Sequence, residues 1–417
     1  MYQRKANSAF PLHASGRTQG DIQPRTLLVG ILLLISGLYM LMARESYMGD
    51  FRAFYVSAIT TQAHLDPYKN QVDVDERYAD GTLDRVDSRF IYPPSALFFF
   101  APLAKLPYRP AKLAFAGVMV LLMAGILVFF HQRFSEPAIV LIALFISLPM
   151  VANVDAGQID VLILALLLAA FYFGDGWKAG VCLGVAISIK LVPIVAIGWF
   201  LGQRRWRTVV WSLLLTGGLT LLAIERWGTS RYGEFLRHLK DHTKWRGPML
   251  HHQFQTVHLV GSRIIAIGDS AFTLDRGIYG YLQNPLLPLG RYESVIGVLL
   301  VVGYLIWLFF TAKGKSLSAE AGFLGFLVVA LFANALLWVM GVVACYPLLL
   351  LLVHRSRTPA KTALLLLTPL FLPFEAVANH RFALWFIVAV FCLWQITRSM
   401  DTQTGGGAIS ASAVQPR

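Results

Sequence analysis

The chain has 417 residues, of which 56% are hydrophobic and only 14% are charged. A water-soluble protein carries about a quarter charged residues, so this composition indicates a polytopic membrane protein. The net charge of +13 does not indicate nucleic-acid binding, because the basic residues recur in short segments between apolar runs. The three cysteines all lie inside apolar runs, so no disulfide or metal-binding framework is expected from them.

Apolar runs dominate the chain and predict an all-α polytopic membrane protein with a bundle of about 12 transmembrane helices. The runs lie near residues 26–43, 94–108, 112–131, 138–153, 158–173, 179–201, 208–224, 294–312, 319–337, 339–353, 362–374 and 382–397. Several are shorter than the roughly 20 residues of a full span, so broken or re-entrant helices are expected among them. The run 94–108 is the least regular, since it holds Pro94, Pro102 and Pro107.

The predicted domain organisation has three parts. A cytoplasmic tail over residues 1–25 precedes a transmembrane domain over 26–398, and a tail over 399–417, rich in Gly, Ser and Ala, is predicted to be disordered. Two longer segments, about 44–93 and 225–293, are predicted to be external loops.

Short basic clusters predict the orientation in the membrane, because cytoplasmic loops carry an excess of Lys and Arg. The clusters are Arg4, Lys5, Arg17 and Arg25; Lys105, Arg109 and Lys112; Arg204, Arg205 and Arg207; Lys313 and Lys315; and Arg355, Arg357 and Lys361. With twelve spans, all of them are predicted to be cytoplasmic. The side of segment 153–158 stays open, because strict parity places it inside while the neighbouring runs are short.

Asp50 stands just after the first apolar run and before Phe51, Phe54 and Tyr55. Aromatic residues are enriched at the membrane interface, so this carboxylate is expected where lipid, water and protein meet. A carboxylate there can act as a base on a polar substrate carried by a lipid. The alternative interpretation is a carboxylate that caps a helix end.

Lys190 lies within an apolar run and just before Pro193. An ammonium group inside a membrane is costly unless it is paired or faces water, which favours a functional role over a lysine that reaches back to the cytoplasmic surface. Asp160 is also placed inside the membrane and is a candidate partner for Lys190. Pro193 is expected to break the local helix.

The order of several short motifs resembles glycosyltransferase family 87. The motifs are Asp50-Phe51, Phe54-Tyr55, Asp66-Pro67-Tyr68, Tyr92-Pro93-Pro94-Ser95-Ala96-Leu97, Pro102-Leu103-Ala104, Gly157-Gln158, Ala179-Gly180, Lys190 and Arg204-Arg205-Trp206-Arg207. The resemblance covers residues 45–210 well and the remainder loosely. It implies a GT-C-like fold and a mannosyltransferase-like integral membrane enzyme that uses a polyprenyl-phosphate-sugar donor.

The resemblance also implies an inverting transfer on the external face, with Asp50 as the general base. Lys190 and Arg263 are then candidate partners for the lipid phosphate. The remaining substrate-binding candidates are Tyr55, Tyr92, Gln158, His252 and Gln253. His252 and its neighbours lack an acid at a zinc-site spacing, so no metal site is predicted.

The partners implied are membrane lipids, the donor, and a lipid or glycan acceptor, with no nucleic acid and no cofactor. The expected location is the bacterial inner membrane, with the site facing the periplasm or exterior. A transporter or lipid flippase without chemistry is the alternative, because twelve spans with Lys190 and Asp160 among them also fit that class.

Overall fold

The computed structural model describes residues 24–46, 48–68, 90–135 and 137–242, together with 299, 302–304, 306–307, 319–331, 339–355, 359 and 362–363. Every regular element within these ranges is a helix, and they contain no strand. The all-α prediction is therefore confirmed for the described part of the chain. The predicted tails 1–25 and 399–417 lie outside it, apart from the first residues of the first helix.

Thirteen α-helices are numbered here in chain order within the described residues. They are α1 (Pro24–Glu45), α2 (Gly49–Gln62), α3 (Leu97–Phe100), α4 (Tyr108–Phe134), α5 (Ala138–Phe145), α6 (Leu148–Ala156), α7 (Asp160–Tyr172), α8 (Trp177–Ile189), α9 (Ala196–Gly202), α10 (Trp206–Trp227), α11 (Ser230–His242), α12 (Ala319–Ala330) and α13 (Tyr346–Arg355). Short 3₁₀ helices lie at Pro94–Ala96, Leu103–Lys105, Val192–Val195 and Val339–Cys345.

Four helical stretches in the described ranges are long and apolar enough to cross a membrane: Thr26–Glu45, Tyr108–Phe134, Ala138–Ala156 and Trp206–Trp227. At 1.5 Å per residue they span about 28–40 Å, which matches the thickness of a bilayer. Their outward faces are apolar, as Leu34 on α1 and Leu221 on α10 show with 68% exposure each. Such faces suit contact with lipid chains and not with water.

Helices α8 and α10 make the closest packing in the bundle, and small residues allow it. A Cβ atom on Gly180 would lie 2.3 Å from the Cβ of Trp211, and one on Gly184 would lie 2.9 Å from the carbonyl oxygen of Ser212. Glycines four residues apart on one helix face let two membrane helices approach this closely.

The start of α4 lies beside the end of α1. The Nζ of Lys112 donates hydrogen bonds to the carbonyl oxygens of Arg44 (3.1 Å) and Ser46 (2.9 Å), which the end of α1 leaves without helical partners. Lys112 is therefore at the same end of the bundle as Asp50. The prediction that the Lys105, Arg109 and Lys112 cluster lies on the side opposite Asp50 was wrong.

The run 94–108 explains this error, because it does not form a crossing helix. Its prolines divide it into a 3₁₀ helix, the single turn of α3 and a second 3₁₀ helix, as expected of its irregular pattern. The run folds back against the bundle through Ser95, whose hydroxyl donates to the carbonyl of Ser188 at 2.8 Å. A segment that does not cross leaves both its ends on one side, so the spans over 112–173 run in the opposite direction to the twelve-span count. The run 179–201 is also broken, at Lys190, and this second break returns residue 204 to its predicted side.

The opposite end of the bundle gathers the end of α4, the end of α7 and the start of α12. Arg133 donates to the carboxylate of Glu320 through Nη2 at 3.0 Å, and the Tyr172 hydroxyl donates to the same carboxylate at 2.6 Å. Arg205 donates to the carbonyl of Phe171 at 2.7 Å, so its cluster also lies here. The Arg204, Arg205 and Arg207 cluster is thus at the end opposite Asp50, as predicted.

The two predicted external loops are partly helical. The segment 44–93 contains α2, and the segment 225–293 begins with α11. The two segments meet at the Asp50 end, where Arg231 of α11 lies 3.7 Å from the carboxylate of Asp66 and donates to the carbonyl of His64 at 3.2 Å.

Candidate active site

The start of α2 places Asp50 at one end of the helix bundle. This end, which also holds Gln158 and Lys190, is called the mouth. Met48 adopts a left-handed conformation with φ of 49°, which turns the chain sharply between α1 and α2. Asp50 follows in the first turn of α2, where the positive end of the helix dipole stabilises a carboxylate. Its side chain is half-buried, so it is reachable from the mouth while being held by protein.

Gly157 brings the end of α6 onto α2. It has φ of +70°, and a Cβ atom there would lie 2.6 Å from the Cβ of Phe51 and 3.0 Å from its backbone nitrogen. Both the conformation and the space require glycine. The residue that follows, Gln158, is therefore held beside Asp50.

A chain of hydrogen bonds joins Asp50, Gln158 and Tyr92. The Oε1 of Gln158 accepts from the Tyr92 hydroxyl at 3.2 Å and from the Ile159 backbone N–H at 3.4 Å. Its Nε2 donates to Oδ2 of Asp50 at 2.6 Å. Because the amide oxygen already receives two donors, the amide nitrogen is turned toward the carboxylate, which can only accept when ionised.

Tyr92 is only 5% exposed, and Pro93 and Pro94 restrict the backbone after it. Burial raises the pKa of Tyr92 well above its ordinary value, and the charges of Asp50 and Asp160 raise it further. The hydroxyl therefore stays protonated and serves as a donor. Both carboxylates therefore lie close enough to Tyr92 to act on its hydroxyl.

Lys190 and Asp160 form the ion pair that the sequence suggested. The Lys190 Nζ donates to Oδ1 of Asp160 at 2.6 Å, and the two side chains are 21% and 13% exposed. Asp160 begins α7, and Lys190 follows the last residue of α8, so both belong to helix ends at the mouth. Pro193 lies in the 3₁₀ helix Val192–Val195, so the predicted break in the helix is confirmed.

An apolar cavity opens beside this ion pair. Its empty volume, including the space open at its mouth, is about 550 Å³. Asp160 and Lys190 are the charged residues of its lining; the rest is apolar and comes from α7, the 3₁₀ helix at Pro193, α12 and the 3₁₀ helix Val339–Cys345. A charged group at the mouth of an apolar cavity is complementary to an amphiphile.

Tyr55 is not part of the hydrogen-bonded chain formed by Asp50, Gln158 and Tyr92. Its hydroxyl donates to the carbonyl of Leu106 at 2.8 Å, and its ring packs against Phe51 and Tyr108. These contacts hold α2 against the start of α4. The predicted residues His252, Gln253 and Arg263 lie outside the described residues.

Asp155 was not among the predicted site residues. It lies in the last turn of α6, is half-buried, and is close enough to Asp50 for the two carboxyl groups to interact. Its position three residues before Gln158 was the one available indication, since that spacing places both near the end of the same helix. Three carboxylates, those of Asp50, Asp155 and Asp160, therefore lie at this mouth.

A half-buried carboxylate, and a lysine beside an apolar cavity, lie at one end of a bundle of apolar helices, an arrangement expected of a membrane protein with an amphiphilic ligand. The model of glycosyltransferase family 87 matches residues 90–337. The chain belongs to this family and is a glycosyltransferase, which decides against the transporter alternative.

The chain is similar to two mannosyltransferases, and the first match covers most of its length. It is 26% identical to a polyprenol-phosphate-mannose-dependent alpha-(1-2)-phosphatidylinositol pentamannoside mannosyltransferase of Mycolicibacterium smegmatis, over 85% of this chain and 80% of the relative. The protein of the same description from Mycobacterium tuberculosis is 32% identical over 35% of this chain and 36% of its own length. No solved structure matches the chain.

Proposed function

We propose that this protein is a membrane mannosyltransferase that moves mannose from polyprenol-phosphate-mannose to a hydroxyl group of a lipid or glycan acceptor. The names of its relatives support the donor and a phosphatidylinositol mannoside as the class of acceptor. The observation that carries the proposal is the hydrogen bond of 2.6 Å from Gln158 to Asp50, at the bundle end that also holds Lys190.

Asp50 acts as the general base in this proposal. The acceptor oxygen attacks the anomeric carbon of mannose while its proton passes to the Asp50 carboxylate. The bond from the anomeric carbon to the phosphate oxygen breaks, and polyprenyl phosphate leaves with the electron pair. A single displacement of this kind inverts the anomeric configuration. Gln158 keeps the carboxylate oriented, and Tyr92 keeps Gln158 oriented.

Lys190 is proposed to bind the phosphate of the donor. The donor phosphodiester carries one negative charge, and the departing phosphate gains a second, so a nearby ammonium group favours the transition state over the ground state. Asp160 holds Lys190 at the mouth before the donor binds. The adjacent apolar cavity then receives the first part of the isoprenoid chain.

The proposed orientation is that of the family resemblance, and basic residues at the end opposite Asp50 support it. The end opposite Asp50 carries Arg133, Arg205, His354 and Arg355, as the contacts of α4, α7 and α13 place them. In this proposal that end is cytoplasmic, which its basic residues support because cytoplasmic loops carry an excess of Lys and Arg. The cluster of Lys105, Arg109 and Lys112 at the Asp50 end is an exception to this rule. With the opposite end in the cytoplasm, Asp50 faces the periplasm or exterior of a bacterial inner membrane. The lipid donor is a substrate in this proposal, and the transfer as written uses no cofactor.

The test uses the purified full-length protein in detergent, where no gradient exists and transport produces no new compound. The protein is incubated with a phosphatidylinositol mannoside and polyprenyl-phosphate-mannose, and with the glucose and arabinose donors in parallel. We expect mass spectrometry to detect an acceptor that has gained one hexose with the mannose donor. A product with another donor alone would replace mannose in the proposal, and no product with any donor would contradict it.

A further inference from the structure

Tyr68 contacts the backbone of Tyr92 from the side away from Gln158. Its hydroxyl donates to the carbonyl oxygen of Tyr92 at 2.8 Å. Both residues are buried, with 6% and 5% exposure, so water does not readily replace the hydrogen-bond partner of either hydroxyl. Tyr92 is thus held at two points: its carbonyl by Tyr68, and its hydroxyl by Gln158.

The ring of Tyr92 lies in an aromatic cluster that leaves it little freedom. Phe54 of α2 meets it edge-on at 4.9 Å between ring centroids, and Phe90 lies at 5.6 Å. The Tyr68 ring packs on Phe90 at 5.6 Å. A shift of the Tyr92 backbone therefore moves its hydroxyl, because the ring cannot compensate by rotating within this cluster.

Tyr68 is itself fixed from α11. The carboxylate of Asp66 accepts from the Tyr68 backbone N–H at 2.9 Å, and Arg231 of α11 lies 3.7 Å from that carboxylate. The ring of Phe235, also on α11, lies 6.0 Å from the Tyr68 ring. Phe235 is buried, so α11 is docked against this point of the bundle.

We propose that Tyr68 is a positioning residue for the transfer reaction: it fixes Tyr92, which orients Gln158, which aims the Asp50 carboxylate. This inference rests on the proposed role of Asp50 as the base. Three side chains, Tyr68, Tyr92 and Gln158, connect α11 to the Asp50 carboxylate, and each step is a hydrogen bond or a ring contact. Displacing a catalytic group by about 1 Å lowers the rate on the order of a hundredfold. Residues that keep the Asp50 carboxylate in its orientation therefore contribute to the rate.

A tyrosine that only fills space predicts a different outcome from one that positions the base. A purely structural role lowers stability and leaves the turnover of folded protein unchanged. A positioning role lowers kcat and leaves the KM for the donor nearly unchanged, since Tyr68 lies behind Tyr92 and away from the Lys190 cavity. The effect of replacing Tyr68 on kcat also disappears when Gln158 no longer links Tyr92 to Asp50.

The experiment compares Tyr68→Phe with Tyr39→Phe in the full-length protein. Tyr39 is an equally buried tyrosine whose hydroxyl also donates to a backbone carbonyl, that of Phe145, within the span of α1 and outside the hydrogen-bonded chain at the mouth. We expect Tyr68→Phe to lower kcat about tenfold, with the donor KM within about twofold of wild type, while Tyr39→Phe keeps kcat. Equal kcat values for the two folded variants would overturn the inference.

A double-mutant cycle with Gln158→Leu locates the path. Tyr68→Phe is expected to cause no further loss of kcat once Gln158 is replaced. If the double variant instead loses kcat by the product of the two single losses, the inference is overturned. If Tyr68→Phe does not yield folded protein, Asp66→Asn weakens the bond to the Tyr68 N–H and is expected to act in the same direction. Retained activity in Asp50→Asn would overturn the inference and the proposed base together; loss in Asp50→Asn with a normal Tyr68→Phe would overturn the inference alone.

Discussion

The amide of Gln158 donates a hydrogen bond of 2.6 Å to the carboxylate of Asp50, although 108 positions separate the two residues in the chain. The contact exists because α2 and the α6–α7 junction meet at one end of the bundle. The junction turns through Gly157, and Gln158 follows it. The Gln158 amide thus holds the carboxylate of the candidate base in one orientation through a hydrogen bond.

Gly157 is expected to be sensitive to the smallest substitution. Gly157→Ala adds a Cβ atom within 2.6 Å of the Phe51 Cβ and forces a left-handed backbone on alanine, so α6 must move away from α2. We expect a loss of about 1–3 kcal/mol in stability and a large loss of kcat, measured by thermal unfolding and by mannose transfer.

Gly174 provides the matched control for Gly157. It has φ of +79°, and a Cβ atom there meets nothing within 4 Å. Gly174→Ala therefore carries the backbone strain without the clash and lies at the opposite end of the bundle. Its folded protein should keep wild-type kcat, and equal losses in the two variants would refute the importance of the contact between Gly157 and Phe51.

The ion pair between Lys190 and Asp160 separates stability from function. Lys190→Met leaves a mostly buried carboxylate unpaired and should cost about 1–3 kcal/mol, less than for a fully buried pair because both side chains reach solvent. Adding Asp160→Asn removes the stranded charge, so the double variant should recover thermal stability. It should still use the donor poorly, with a raised KM.

Recovery of both stability and donor use in the double variant would show that the pair is only structural. Asp160→Asn alone supplies the third corner of this cycle. It keeps the ammonium group, so it should retain part of the donor use that Lys190→Met loses.

The packing of α8 against α10 predicts another substitution effect. Gly180→Ala places a Cβ atom 2.3 Å from the Cβ of Trp211, so the two helices must separate, at a cost of about 1–3 kcal/mol. Gly217→Ala on α10 meets nothing within 4 Å and should leave the melting temperature nearly unchanged. A smaller effect at position 180 than at position 217 would contradict the close approach.

The sidedness of the mouth can be measured by thiol labelling in intact cells. Lys105 and Arg204 are both exposed, and the structure places them at opposite ends. After replacement of the native cysteines, Lys105→Cys should react with a membrane-impermeant maleimide from outside, and Arg204→Cys should react only after permeabilisation. Labelling of both from the same side would contradict the arrangement, and the reverse pattern would place Asp50 in the cytoplasm.

Composition was enough to predict a helical membrane protein, because apolar runs of this length leave few other solutions. The pairing of Lys190 with Asp160 was also predictable, since two opposite charges in neighbouring apolar runs are costly apart. Hydropathy did not show that run 94–108 turns back. A proline-rich apolar run looks like a span by composition, and its contacts with Ser188 and Tyr55 in the fold show where it lies.

The hydrogen-bonded chain at the mouth could be predicted only in part. Asp50, Tyr92 and Gln158 were chosen one by one from their motifs, but nothing in a single sequence states that they touch. Asp155 and Tyr68 were not chosen for the site, because their importance depends on which helix ends meet. That meeting is set by the left-handed turn at Gly157 and by the packing of α11, which are tertiary features.

The most direct test of the proposed mechanism is the turnover of Asp50→Asn with polyprenyl-phosphate-mannose and a phosphatidylinositol mannoside acceptor, both at saturating concentration. Asp175→Asn is the control, since Asp175 accepts from the Thr208 backbone N–H at 2.9 Å at the opposite end of the bundle. If Asp50 is the base, kcat of Asp50→Asn falls by a factor on the order of 10² to 10⁴, while folded Asp175→Asn retains activity. Turnover of Asp50→Asn within tenfold of wild type would contradict the mechanism.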